Sequence, residues 1–70
     1  MTLKKFLDSL GSGIKESTIR IRKNDSVVGY VRNNRIMVPD NLMECKYISI
    51  DFEKVECPGG YYRVVTIYIE

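Results

Sequence analysis

The chain has 70 residues, with 11 Lys and Arg against 9 Asp and Glu, 44% apolar residues and no histidine. That length holds one domain with a thin core, because chains divide into several domains only at a few hundred residues. Its apolar content excludes a disordered chain, and no apolar run approaches the roughly 18 to 20 residues of a membrane span.

Thr2 precedes Leu3, Phe6, Leu7 and Leu10, whose i, i+3, i+4, i+7 spacing makes one apolar stripe on a short helix. Thr2 is placed to cap the N-terminus, Lys4, Lys5 and Asp8 fall on the wet side, and Gly11 follows as a left-handed terminator. Such a short helix does not persist alone in water, so its stripe must dock on a sheet. Gly11-Ser12-Gly13 has the small residues of a phosphate-cradling loop but follows a helix instead of leading from a strand into one, so it reads as cap and linker.

From Thr18 to Lys23, Ile19 and Ile21 alternate with Arg20 and Arg22, the pattern of a half-buried strand. Asn24, Asp25 and Ser26 mark a turn, and Val27 to Arg32 forms a second strand antiparallel to the first. Asn33 and Asn34 tolerate positive φ and lead through a second tight turn into a third strand, Arg35 to Val38. Pro39 ends that strand, and Asp40 to Glu44 reads as one helical turn with Leu42 and Met43 directed inwards.

Lys46 to Glu56 places Ile48, Ile50 and Phe52 on one face and Tyr47, Ser49, Asp51 and Glu53 on the other. Pro58 and Gly59 suit the centre of a type II turn, after which Tyr61 to Ile69 runs back. Pairing Cys57 with Gly60 sets Phe52 opposite Val65, Ile50 opposite Ile67 and Ile48 opposite Ile69, so turn chemistry and hydrophobic register agree. The expected fold is α+β: a short N-terminal helix packed on a mainly antiparallel sheet of four to five strands ending in a long C-terminal hairpin. The helix is expected over the face of Ile48, Ile50, Phe52, Val65, Ile67 and Ile69, within a single domain, 1–70.

Without histidine the chain lacks the side chain that most often serves as general acid or base near neutral pH. Cys45 and Cys57, separated by eleven residues, do not make a tetrahedral zinc site. Asp51, Glu53 and Glu56 read as the wet face of a strand, not as a catalytic pair. The expectation is a non-enzymatic protein with no catalytic residues, no metal and no cofactor. Secreted scaffolds of this size usually carry about four to eight cysteines, and the N-terminus shows no apolar stretch of the signal-peptide kind. Both cysteines are therefore read as reduced in a cytoplasmic protein, Cys45 packed as a small apolar group and Cys57 at a turn.

Two surfaces stand out. The hairpin face opposite the helix carries Tyr47, Val55, Tyr62, Val64, Thr66 and Tyr68, more aromatic than a wet face requires. Either the remaining strands fold over it as a second sheet or barrel wall, or it is a contact surface with Tyr47, Tyr62, Val64 and Tyr68 as partner-binding residues. An exposed edge at Tyr61 to Ile69 would allow self-association. The second surface follows from charge: residues 1–35 hold eight basic and three acidic groups, residues 36–70 three basic and six acidic. Arg20, Arg22, Arg32 and Arg35 then form a candidate anion or nucleic-acid site, with Arg32 and Arg35 opposed across the Asn33-Asn34 turn. Nucleic-acid binders interleave aromatics with basic residues, and only Tyr30 stands near this cluster in the chain.

The opening Thr2-Leu3-Lys4-Lys5-Phe6-Leu7-Asp8-Ser9-Leu10, the strand Ile19 to Arg22, Pro39-Asp40-Asn41-Leu42, Tyr47-Ile48-Ser49-Ile50-Asp51 and the closing Val65-Thr66-Ile67-Tyr68-Ile69-Glu70 resemble small accessory proteins of phages and prophages of Gram-positive bacteria. The resemblance implies an accessory protein in the cytoplasm of a bacterial host cell. Its partner is then a host or phage protein, and inhibition of a defence system such as a CRISPR nuclease is one such role. Ile19 to Arg22, Asn24-Asp25 and Gly29 are also similar to the first half of the Sm-like fold, which implies RNA binding and ring assembly. The expected partner is a protein, with nucleic acid as the alternative, no membrane, and self-association as a third reading.

Overall fold

The computed structural model describes residues 1–15 and 17–70. In chain order it contains helix α1 (Leu3–Ser9), the one-turn helix α2 (Ser12–Lys15), strands β1 (Ile19–Lys23), β2 (Ser26–Arg32) and β3 (Arg35–Met37), a 3-10 turn (Asp40–Leu42), and strands β4 (Tyr47–Cys57) and β5 (Gly60–Ile69). The five strands form one sheet in the order β3-β2-β1-β5-β4. The pair β1–β5 is parallel and the other pairs are antiparallel, so the fold is α+β with a mostly antiparallel sheet ending in the long hairpin. Among the described residues no helix is long and apolar enough to cross a membrane.

The tight turns follow from side-chain chemistry. Asn24, Asp25, Asn33 and Asn34 have φ of 51°, 67°, 50° and 63°, the paired left-handed conformation of type I′ turns, which Asn and Asp adopt more readily than other non-glycine residues. Gly59 takes φ 92° in the Pro58-Gly59 turn, closing Cys57 against Gly60 as the sequence predicts. Gly29 sits where β2 runs against β3, and a Cβ there would approach the Met37 carbonyl oxygen and Val38 Cγ2 to 2.9 Å.

The core lies on one side of the sheet. Ile19 and Ile21 of β1, Val31 of β2 and Val65, Ile67 and Ile69 of β5 are buried beneath Leu3 and Leu7 of α1. Leu42 and Met43 pack inwards against the same cluster, as predicted. Thr2 caps α1, its Oγ1 accepting the Lys5 N–H at 3.2 Å. The helix ends differently from expectation: Leu10 turns to extended backbone while its N–H reaches the Leu7 carbonyl, so Gly11 is not needed as a left-handed cap.

The hairpin register holds from Cys57↔Gly60 through Phe52↔Val65 to Ile50↔Ile67 and then changes. A bulge between Tyr47 and Ser49 sets Tyr47, not Ile48, opposite Ile69. Ile48 is thereby expelled and is 54% exposed, while Tyr47 turns to the helix side and stacks on Phe6 with ring centroids 3.9 Å apart. Tyr47 is thus half-buried against the core on the helix side and does not share the opposite face with Tyr62 and Tyr68. Phe52 has the predicted partner but is 58% exposed, because the short helix does not reach that far along the edge strand.

A second correction concerns the edge at Tyr61 to Ile69. From Val65 onward β5 is flanked by β1 and β4 and is not an edge. Among the described residues the edges are β3, three residues long, the 60–64 start of β5 on the side away from β4, and β4, whose start is covered by Met1 and Thr2 through the Tyr47 N–H to Met1 carbonyl bond of 2.9 Å. Asp51, Glu53, Lys54 and Glu56 and the bulge blunt the rest of β4 against strand addition.

Candidate binding face

Among the described residues no layer covers the other side of the sheet. The remaining strands join the hairpin edge to edge, so no second sheet or barrel wall forms, and the Cα trace is only 17 Å in its smallest dimension. The α1 stripe, Leu42 and Met43 all serve the core side. The face left open carries Tyr30 and Met37 from β2 and β3, Arg20 and Arg22 from β1, Tyr62, Val64, Thr66 and Tyr68 from β5, and Asp51, Glu53 and Val55 from β4.

The parallel β1–β5 register determines what meets on it. Arg20 lies beside Thr66 and Arg22 beside Tyr68, while on the other flank of β1 Arg20 lies beside Tyr30. The arginine cluster and the tyrosine face, separate in the sequence, form one surface. Tyr62 and Tyr68 come from the far end of the chain to stand with Tyr30 among the arginines, which removes the objection that the basic cluster lacks aromatics.

Arg20 is the hub. Its Nη2 donates to Thr66 Oγ1 at 3.2 Å and approaches Glu53 Oε2 at 3.9 Å. The guanidinium lies over Thr66, which is only 4% exposed although it belongs to the open face. The Glu53 contact is long and exposed, so it neutralises Arg20 weakly. Arg22 donates from Nη2 to the Asp25 carbonyl at 2.9 Å. The Nε atoms of Arg20 and Arg22 are both buried and donate to no protein atom among the described residues, so the face has donor capacity to spare. Arg32 and Arg35 are exposed and directly opposed across the Asn33-Asn34 turn, as predicted.

One groove of about 530 Å³ opens on this face. It is lined by Ser17, Thr18 and Val64 together with Arg20, Tyr30, Tyr62 and Arg63. It exists because β1 begins opposite Val65, leaving residues 60–64 of β5 paired only with β4. Arg63 belongs by alternation to the other face, opposite Lys54, yet it lines the groove, where among the described residues no second strand pairs with that flank of β5. No sequence signal marked Thr18 or Arg63 as site residues, since both depend on where a parallel strand starts. Tyr30 was legible beside the basic cluster.

The acidic side chains of the face sit at its margin. Its carboxylates, Asp51 and Glu53, lie on the exposed edge strand and do not line the groove. Among the described residues no three His, Cys, Asp or Glu side chains are placed to hold a metal ion. Cys57 is exposed at the hairpin turn, and Cys45 packs against the core on the opposite side of the sheet, with Lys23 Nζ 3.5 Å from its Sγ. Comparison with protein-family models, with curated proteins and with solved structures found no match.

Proposed function

We propose that this chain is a non-enzymatic binding protein that docks an anionic partner on the uncovered face of its sheet. The observation that carries the reading is the merger of the arginine and tyrosine residues into one surface through the β1–β5 pair. Tyr and Arg are the residue types that most often dominate binding energy at interface centres. Arg20, Arg22, Arg32 and Arg35 outnumber Asp51 and Glu53 on the face, so an acidic surface is favoured as its complement. Binding by occlusion also fits the resemblance to small phage accessory proteins of the bacterial cytoplasm.

The test is elution from a heparin column by a salt gradient. Arg32→Ser/Arg35→Ser removes two charges from the face, and Lys4→Ser/Lys5→Ser removes two from the exposed side of α1. The face variant is expected to elute at clearly lower salt than wild type, with the helix variant close to wild type. Equal shifts for both would mean that retention follows net charge alone, and the face would lose its claim.

A further inference from the structure

We propose that the groove between Tyr30 and Tyr62 takes a nucleotide of a single-stranded nucleic acid, with its base against the tyrosine rings and its phosphate on Arg20 and Arg63. This rests on the reading of the open face as an anion-docking surface and names the class of partner.

Three features of the groove carry it. Among the described residues its lining holds two arginines and two tyrosines and no carboxylate, with Glu53 outside the lining at 3.9 Å from Arg20. Both rings are accessible, Tyr30 at 39% and Tyr62 at 53% exposure, as stacking on an incoming base requires. Its volume of about 530 Å³ lies within the range of small-ligand pockets, large enough for one nucleotide unit.

The surroundings give the strand a direction. Ile19 pairs with Val31 and Val65, and Arg32 with Arg35, so Arg35, Arg32, Thr18 and Val64 fall in one row across β3, β2, β1 and β5. A chain leaving the groove across this row meets two further guanidinium groups, spaced by the strand separation of about 4.8 Å. In the other direction the row ends at Glu53 on β4, which repels phosphate. An acidic peptide would satisfy the arginines but makes no comparable use of two exposed rings beside them. A duplex keeps its base faces stacked inside and offers the rings nothing, so the unpaired strand is the better fit.

Fluorescence anisotropy with a fluorescein-labelled twelve-residue oligothymidylate at low salt tests the assignment. The comparators are an abasic strand of the same length and a labelled polyglutamate peptide. Oligothymidylate is expected to bind at least tenfold more tightly than the abasic strand. Tyr30→Ser and Tyr62→Ser, each checked for wild-type circular dichroism, are each expected to weaken it about tenfold. Equal binding of the abasic strand, or tyrosine variants that bind as wild type, would overturn the base-stacking site while leaving the anionic docking face standing. Polyglutamate binding without oligothymidylate binding would overturn it in favour of an acidic protein partner. Failure of all three probes to bind would remove both the site and the reading beneath it.

Discussion

Arg20 and Thr66 stand side by side across the parallel pair β1–β5, and the Arg20 Nη2 donates to Thr66 Oγ1 at 3.2 Å. This contact links residues 46 positions apart and holds the basic and aromatic parts of the open face together. Thr66→Val keeps the β-branched shape and removes the acceptor. Hydrogen bonds to charged groups contribute about 1.5–3 kcal/mol, and partial exposure of Arg20 lowers that, so a loss of about 1 kcal/mol is expected in urea unfolding. An unchanged midpoint would show that the contact does not hold Arg20 in place.

The two tyrosines at the ends of the hairpin should behave oppositely. Tyr47 stacks on Phe6 at an interplanar angle of 13° beside the core, whereas Tyr62 is exposed on the open face. Tyr47→Ser is expected to cost about 2–3 kcal/mol, and Tyr62→Ser less than about 0.5 kcal/mol, when unfolding curves are compared. Similar costs for both would contradict the assignment of the two faces.

Much of this fold is legible because its signals are local. The Asn24-Asp25, Asn33-Asn34 and Pro58-Gly59 turns and the alternation of Ile19, Ile21, Val65 and Ile67 are written in adjacent residues, and the hairpin register follows from them. The β1–β5 pair is not, since a parallel pair has no connecting turn to announce it and the partners lie at opposite ends of the chain. The reading of residues 65–69 as an edge, the separation of tyrosine from arginine and the missed groove all follow from that one gap. The Tyr47 error has another source: a bulge adds one residue to a strand and exchanges the faces of everything beyond it, and no residue type specifies it.

Gly29 is expected to resist any side chain. A Cβ there would meet the Met37 carbonyl oxygen at 2.9 Å and Val38 Cα at 3.1 Å, backbone atoms that move only if β3 moves. Gly29→Ala should cost about 1–3 kcal/mol, read as a lowered unfolding midpoint, with faster amide exchange in β3. A variant as stable as wild type would mean that β3 is not held against β2 at this point.

The second position of the Asn33-Asn34 turn offers the opposite effect. Asn34 has φ 63°, which glycine adopts without strain, and Asn-Gly is the preferred type I′ pair. Asn34→Gly should raise stability by a few tenths of a kcal/mol, or about 2–4 °C in Tm for a domain of this size. A lowered Tm would argue against the type I′ turn.

Leu7 is fully buried in α1, which covers the core side of the sheet. Leu7→Ala should cost about 2–5 kcal/mol, comparable to the whole stability of a domain this small. The expected readout is a largely unfolded protein by circular dichroism at room temperature. A cooperative unfolding transition near that of wild type would show that α1 contributes little to the core.

The most direct test of the docking face is an amide chemical-shift titration of the 15N-labelled protein with a heparin-derived oligosaccharide. The expected result is a cluster of shifted amides in β1, β2, β3 and residues 62–68 of β5, with α1 unmoved. Shifts gathered around Lys4 and Lys5 on α1, or spread evenly over every lysine and arginine, would contradict it.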